Sequence, residues 1–116
     1  MATEVTWLGH GTYLLESNGH TILLDPFLTD CPTASAKAED VSADFILVSH
    51  GHGDHVADLV PIAQRTGSKN IAIFEICSWL DKQGVSNNHA MNIGGGHDFP
   101  FGRVKMTQAI HSSVLP

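Results

Sequence analysis

The sequence predicts an α/β fold, a mixed sheet with helices packed on one face. Three features point there. Two strand-like segments flank an Asn-Gly dipeptide, the signal of an antiparallel hairpin. Beyond them, apolar β-type runs alternate with short helical segments, the pattern of parallel βα units. The run Ile22-Leu23-Leu24 is apolar on successive residues, so that strand is covered on both faces.

The elements follow in order. Residues 5–8 and 12–16 read as strands, and Ser17-Asn18-Gly19-His20 turns the chain into a third strand over 21–25. Residues 26–44 carry Pro32, Ser35, Lys37 and Glu39 and read as a loop with one helical turn near Ala36. The apolar run 45–48 is the next strand. Asp58 can cap a helix reaching Thr66, with Pro61 in the first turn, where a missing N–H costs little. Gly67 ends it with a left-handed residue. A strand over 70–74, a helix over 76–83 closed by Gly84, and a strand over 89–93 come next. Gly94-Gly95-Gly96 is a turn, and 102–110 is a long strand ending at His111. The triple glycine lacks the lysine of a phosphate-binding loop.

A length of 116 residues, 42% hydrophobic and 16% charged, fits one small domain over residues 1–116. The net charge of −6, with only six scattered Lys and Arg, excludes a nucleic-acid scaffold, which needs clustered cations. Cys31 and Cys77 have no zinc-type spacing and are too few for a disulfide framework. Met1-Ala2-Thr3-Glu4 has neither the basic start nor the apolar core of a signal peptide. No apolar run nears the roughly 20 residues that span a bilayer. Together these read as a cytoplasmic protein with reduced thiols, acting on a small molecule without membrane or nucleic acid.

Directly after the strand at 45–48, His50-Gly51-His52-Gly53-Asp54-His55 sets three histidines and an aspartate within six residues. Imidazole and carboxylate are ligands for zinc and related ions. A ligand-free surface loop could carry histidines too, but glycines alternating with them let the backbone bend around an ion. His50 and His52, at i and i+2, can face one ion from two sides. Asp54 and His55 are adjacent and diverge, which suits a second ion alongside. Asp25, at a strand end before Pro26, either orients a ligating imidazole through its other N–H or simply opens a turn. His20, His89 and His97 read as surface residues.

The pattern H-x-H-x-D-H resembles the signature of the metallo-β-lactamase superfamily of metal-dependent hydrolases. Trp7-Leu8-Gly9-His10-Gly11-Thr12, then Tyr13-Leu14-Leu15-Glu16 and Ile22-Leu23-Leu24-Asp25-Pro26, look like the opening of one branch. That branch includes the ascorbate-phosphate lactonase-like and N-acylphosphatidylethanolamine-hydrolysing enzymes. Ala72-Ile73-Phe74-Glu75-Ile76-Cys77, Met91-Asn92-Ile93-Gly94-Gly95 and Ala109-Ile110-His111-Ser112-Ser113 resemble a bacterial and archaeal subgroup of metal-dependent hydrolases within it. The match runs from about Val5 to Val114.

The resemblance implies an αββα sandwich with two divalent ions, zinc or alternatively manganese or iron. It implies that His111, 56 residues past His55, completes the first site. Asp54 would bind the second ion and act as the catalytic residue that orients the nucleophile. His10 would lie near the site mouth, in contact with substrate or in a structural role. Two ions about 3.5–4 Å apart can share a hydroxide, polarise the scissile bond and stabilise the leaving oxygen. The implied reaction is attack of a metal-bound hydroxide on an ester, lactone, amide or phosphodiester.

The resembling proteins are roughly twice as long, with two similar halves. Nothing here matches their bridging carboxylate and last histidine, so the chain reads as the N-terminal half of an incomplete domain. One half alone would leave an apolar sheet face bare, to be covered by the missing C-terminal half or by a homo-oligomer partner. Two alternatives stand beside the hydrolase: a non-catalytic metal-binding module, or an inactive fragment of the enzyme. A nuclease of the same superfamily is disfavoured by the acidic balance.

Overall fold

A computed structural model describes residues 2–116. Strands β1 (Glu4–Gly9), β2 (Thr12–Ser17), β3 (His20–Leu24), β4 (Phe45–Leu47), β5 (Lys69–Ile73) and β6 (Asn88–Met91) form one sheet in that spatial order. β1 to β3 are antiparallel neighbours, and β3 to β6 run parallel. The sheet is therefore mixed, as expected. Both central residues of the Asn18-Gly19 turn have positive φ, 51° and 76°, which matches the twist of a two-residue hairpin.

Side-chain alternation divides the interior into two layers. Leu23, Ile46 and Ala72 face the helices α2 (Leu59–Thr66) and α3 (Phe74–Lys82). Those helices answer with Leu59 and Ile62 from α2 and Ile76 and Leu80 from α3, all buried. Gly67 closes α2 with φ 66° and an N–H bonded to Ala63 O.

The expected cap is not formed by Asp58, although the residue stands where the cap should be. An N-cap side chain bonds the second or third helical N–H, and here the third residue is Pro61, which has none. The buried carboxylate instead accepts from Leu28 N–H at 2.6 Å, Thr29 N–H at 2.8 Å and Thr29 Oγ1–H at 2.7 Å. Its work is to tether the loop that follows β3.

Ile22, Phe45, Ile71 and Met91 face the other way. This side is not bare: a second, two-stranded sheet of β7 (Gly96–Phe99) and β8 (Gly102–Lys105) lies over part of it, with Phe99 buried and Phe101, Val104 and Met106 packed alongside. The second strand of this hairpin falls at the start of the strand expected over 102–110, whereas β7 was not expected, because its four residues begin within the glycine run that suggested only a turn. Coverage is partial. Val5 and Trp7 remain 59% and 55% exposed, and a cavity of about 290 Å³ separates the ends of β3 and β4 from residues 104–109.

Two further expectations change. The last strand stops at Lys105 instead of reaching Ile110, because its partner begins at Gly96 and the final ladder bonds join Met106 to Gly94 and Gly95. His89 is half-buried, its ring 4.4 Å from that of His97 and 4.9 Å from that of Phe99, so the two histidines form a contact between β6 and β7. Burial, with His97 and Lys69 adding to it, holds the His89 pKa below the ordinary histidine value. No helix among the described residues is long and apolar enough to cross a membrane.

Candidate metal centre

The parallel ladder builds this site at the C-terminal ends of the strands, where open α/β sheets generally present their ligand sites. Asp25 N–H bonds Leu47 O at 3.0 Å, and Val48 N–H bonds Ile71 O at 3.0 Å. Register thereby sets Asp25, at the end of β3, beside Ser49, just past β4. Fully buried Thr12 fastens the same turn: its hydroxyl donates to Asp25 O at 2.7 Å and accepts from Phe27 N–H at 3.1 Å. Asp25 itself sits at φ 45°, a region unusual for residues other than glycine but tolerated by aspartate.

After Ser49 the chain bends through Gly51, and the one-turn helix α1 (Gly53–Val56) carries Asp54 and His55. A methyl group at Gly51 would overlap the carbonyl of Val114. Glycine is needed there because the C-terminal segment passes directly against the loop, with Gly51 N–H bonded to Ser113 Oγ at 3.3 Å. That passage carries His111 in. A methyl group at Gly11 would sit 3.0 Å from Cε1 of His55, so the tight turn between β1 and β2 leaves room for that ring.

The structure brings His50, His52 and His111 together. Their ring centroids are 4.7 Å (His50–His52), 4.7 Å (His50–His111) and 5.3 Å (His52–His111) apart, with the planes nearly perpendicular. One nitrogen from each lies within 4.8 Å of the others. Nε2 of His50 is buried and has no hydrogen-bond partner among the described residues. Burial first, then the rings of His55, His111 and His52, lower the His50 pKa below its ordinary value.

A second group joins His10, Asp54 and His55. His10 Nε2 lies 2.9 Å from Asp54 Oδ2, and His55 Nε2 lies 3.9 Å from Asp54 Oδ1. The hydrogen bond with His10 is the main cause of a lowered Asp54 pKa. His10 is held at φ 51° by its own backbone contacts: its N–H bonds Thr33 Oγ1 and its carbonyl accepts from Trp7 Nε1.

Asp25 lies between the groups. It accepts from Ser49 N–H at 2.7 Å, from the Ser49 hydroxyl, and from His55 Nδ1–H at 2.8 Å. Ser49 Oγ is also 2.9 Å from His50 Nδ1. Sequence reasoning passed over Ser49 and Thr12; the only signal for Ser49 was its place immediately before His50.

Such a fold, with histidines and carboxylates gathered at the strand ends, defines a metallo-hydrolase-like α/β class. The sequence profile of the beta-lactamase superfamily domain matches residues 4–113, and the chain belongs to that family. It is 52% identical over 110 residues to a UPF0173 metal-dependent hydrolase of Bacillus cereus (strain B4264), covering 95% of this chain and 48% of that protein. It superposes on Igni18, a metallo hydrolase of the archaeon Ignicoccus hospitalis, with TM-score 0.87 and 31% identity, over 97% of this chain and 51% of that one. An isothiocyanate hydrolase from Delia radicum gut bacteria shares the fold, with TM-score 0.64, 17% identity and coverage of 84% and 44%. The chain thus spans about half the length of the relatives it matches.

Proposed function

We propose that these residues form the N-terminal half of a metal-dependent hydrolase domain. His50, His52 and His111 would hold one divalent ion, and Asp54 and His55 would hold a second. Zinc is the ion best suited to such nitrogen-rich sets, with manganese or iron as alternatives. The observation that carries the reading is the buried, unpartnered Nε2 of His50, facing two other imidazoles. A buried acceptor without a partner costs about 1–3 kcal/mol, and an ion would satisfy it.

Divalent ions bound there would supply Lewis acidity and make water acidic enough to react near neutral pH. The protein's own groups do the rest. Asp25 fixes His55 by accepting a hydrogen bond from its Nδ1–H, which leaves Nε2 on the side of Asp54. His10 engages one oxygen of Asp54, leaving the other directed toward His55. Asp54 is then placed both to bind an ion and to orient a nucleophilic water by hydrogen bonding. The bond cleaved is an ester, lactone, amide or phosphodiester. The kinship with a metal-dependent hydrolase and a metallo hydrolase supports the class.

The test is metal content and hydrolysis by the complete gene product purified with zinc or manganese. At least one ion per chain, with turnover of a generic ester, lactone, amide or phosphodiester, is expected. Less than one ion per chain overturns the reading, and stoichiometric metal without turnover of any such substrate leaves a non-catalytic binding module.

A further inference from the structure

We infer that Ser49 is a positioning residue: its hydroxyl relays the single carboxylate of Asp25 to His50, so one buried anion sets the ring tautomers on both sides of the centre. For its metal arm this rests on the reading above.

The argument is one of proton counting. An ionised carboxylate only accepts hydrogen bonds. Every group touching Asp25 must therefore point a hydrogen at it. Ser49 N–H does so at Oδ1, and His55 Nδ1 and Ser49 Oγ both do so at Oδ2. A serine hydroxyl has one proton, and here it is committed to Asp25. Its remaining capacity is to accept, and the group within reach is His50 Nδ1 at 2.9 Å. His50 Nδ1 then carries the hydrogen, and Nε2 carries the lone pair. That Nε2 is the buried atom left without a partner among the described residues.

The same counting sorts two overlapping groups of side chains. Asp25, His50 and His55 also lie close enough to suggest an ion between them. The nitrogens of both rings that face Asp25 are occupied by protons bonded to Asp25 or Ser49. This trio is a hydrogen-bonded brace, and the free lone pairs face away from it. The brace is asymmetric. Asp25 acts on His55 directly, and it acts on His50 only through Ser49.

The asymmetry gives a selective test. Ring 15N shifts of His50 and His55 are recorded in the metal-free complete protein at a pH where both rings are neutral. Both should show the Nδ1–H tautomer. Ser49→Ala should release His50 into a mixture of tautomers while His55 keeps its Nδ1 proton, because Asp25 still bonds His55 directly. Zinc titration, followed on the ring signals, should then show the His50-His52-His111 site weakened by about 10–100-fold, the range for loss of an outer partner of a ligating histidine. The site reported by His55 should be unchanged. Ser49→Thr, which restores the hydroxyl, should recover both readouts.

An Nε2–H tautomer of His50 in the unaltered protein overturns the inference without any variant. So does equal weakening of both sites in Ser49→Ala, or failure of threonine to rescue. Correct tautomers with no zinc bound at either site would instead overturn the metal reading and leave the relay standing.

Discussion

Two polar networks, each centred on a buried side chain, lie at different places on the same sheet, and they differ in how they end. Around Asn70 the network closes. Its side chain accepts from Ser68 Oγ–H at 2.8 Å and donates to Asn88 Oδ1 at 3.1 Å, while Asn88 Nδ2 donates to Asp81 Oδ1 and Val85 O, each at 2.7 Å. Around Asp25 the network is equally well made up to Ser49 and the two imidazoles, and then it stops at His50 Nε2, which has no partner among the described residues. A closed network of this kind fixes strand register and rigidifies the core. An open one keeps a desolvated lone pair available.

Breaking each network should therefore have different consequences. The largest effect is expected for Asp25→Ala. It removes the buried acceptor shared by Ser49 N–H, the Ser49 hydroxyl and His55 Nδ1–H and puts alanine at a positive φ, so unfolding free energy should fall by about 3 kcal/mol, and zinc binding should be lost as well. Denaturant titration and metal analysis on the same sample check both. Asn70→Ala should cost about 2 kcal/mol by leaving the Ser68 hydroxyl and Asn88 Oδ1 without the partner they have now, but zinc content should not change. A parallel loss of metal would break the distinction between the networks.

His10→Asn is a finer probe. Asparagine accepts the positive φ but is too short to reach Asp54, so ion affinity on the Asp54–His55 side should drop about tenfold by calorimetry, with melting temperature nearly constant. The smallest effect concerns acid. His89 has its folded pKa lowered by burial, by His97 and by Lys69, so between that value and the ordinary 6.5 the unfolded chain binds more protons than the folded one. Stability here is full above 6.5 and declines as pH falls below it. Amide protection factors in β7 and β8, corrected for the intrinsic pH dependence of exchange, should fall as the pH is lowered through 6.5, and His89→Phe should blunt the change. Unchanged protection across that range would remove His89 from the hairpin contact.

Much of this molecule was legible as a string of residues. The Asn-Gly turn, the glycine after α2 and the apolar runs are local signals with local causes, and they gave the strands, helices and fold class. Short elements were harder. Four-residue β7 carries little periodicity, and the hairpin it makes with β8 brings Phe99 and Phe101 against Phe45 across the sheet, with ring centroids 6.1 Å and 4.7 Å away. Asp58 shows the same limit. Its type and position announced a helix cap, but Pro61 withdrew one donor and a distant loop offered three better ones.

By itself, the sequence determined which atoms could bind an ion: histidines and a carboxylate packed into six residues, because side-chain chemistry is local. Only the tertiary structure decided which lone pairs are free. That choice depends on register between β3 and β4, which sets Asp25 against Ser49, and on the passage of residues 111–114 past Gly51, which delivers His111. A proton on a ring nitrogen is assigned by whatever lies next to it in space: His55 Nδ1 meets Asp25 from 30 residues earlier in the chain, and Ser49, although adjacent to His50, is itself tied to Asp25 across 24 residues.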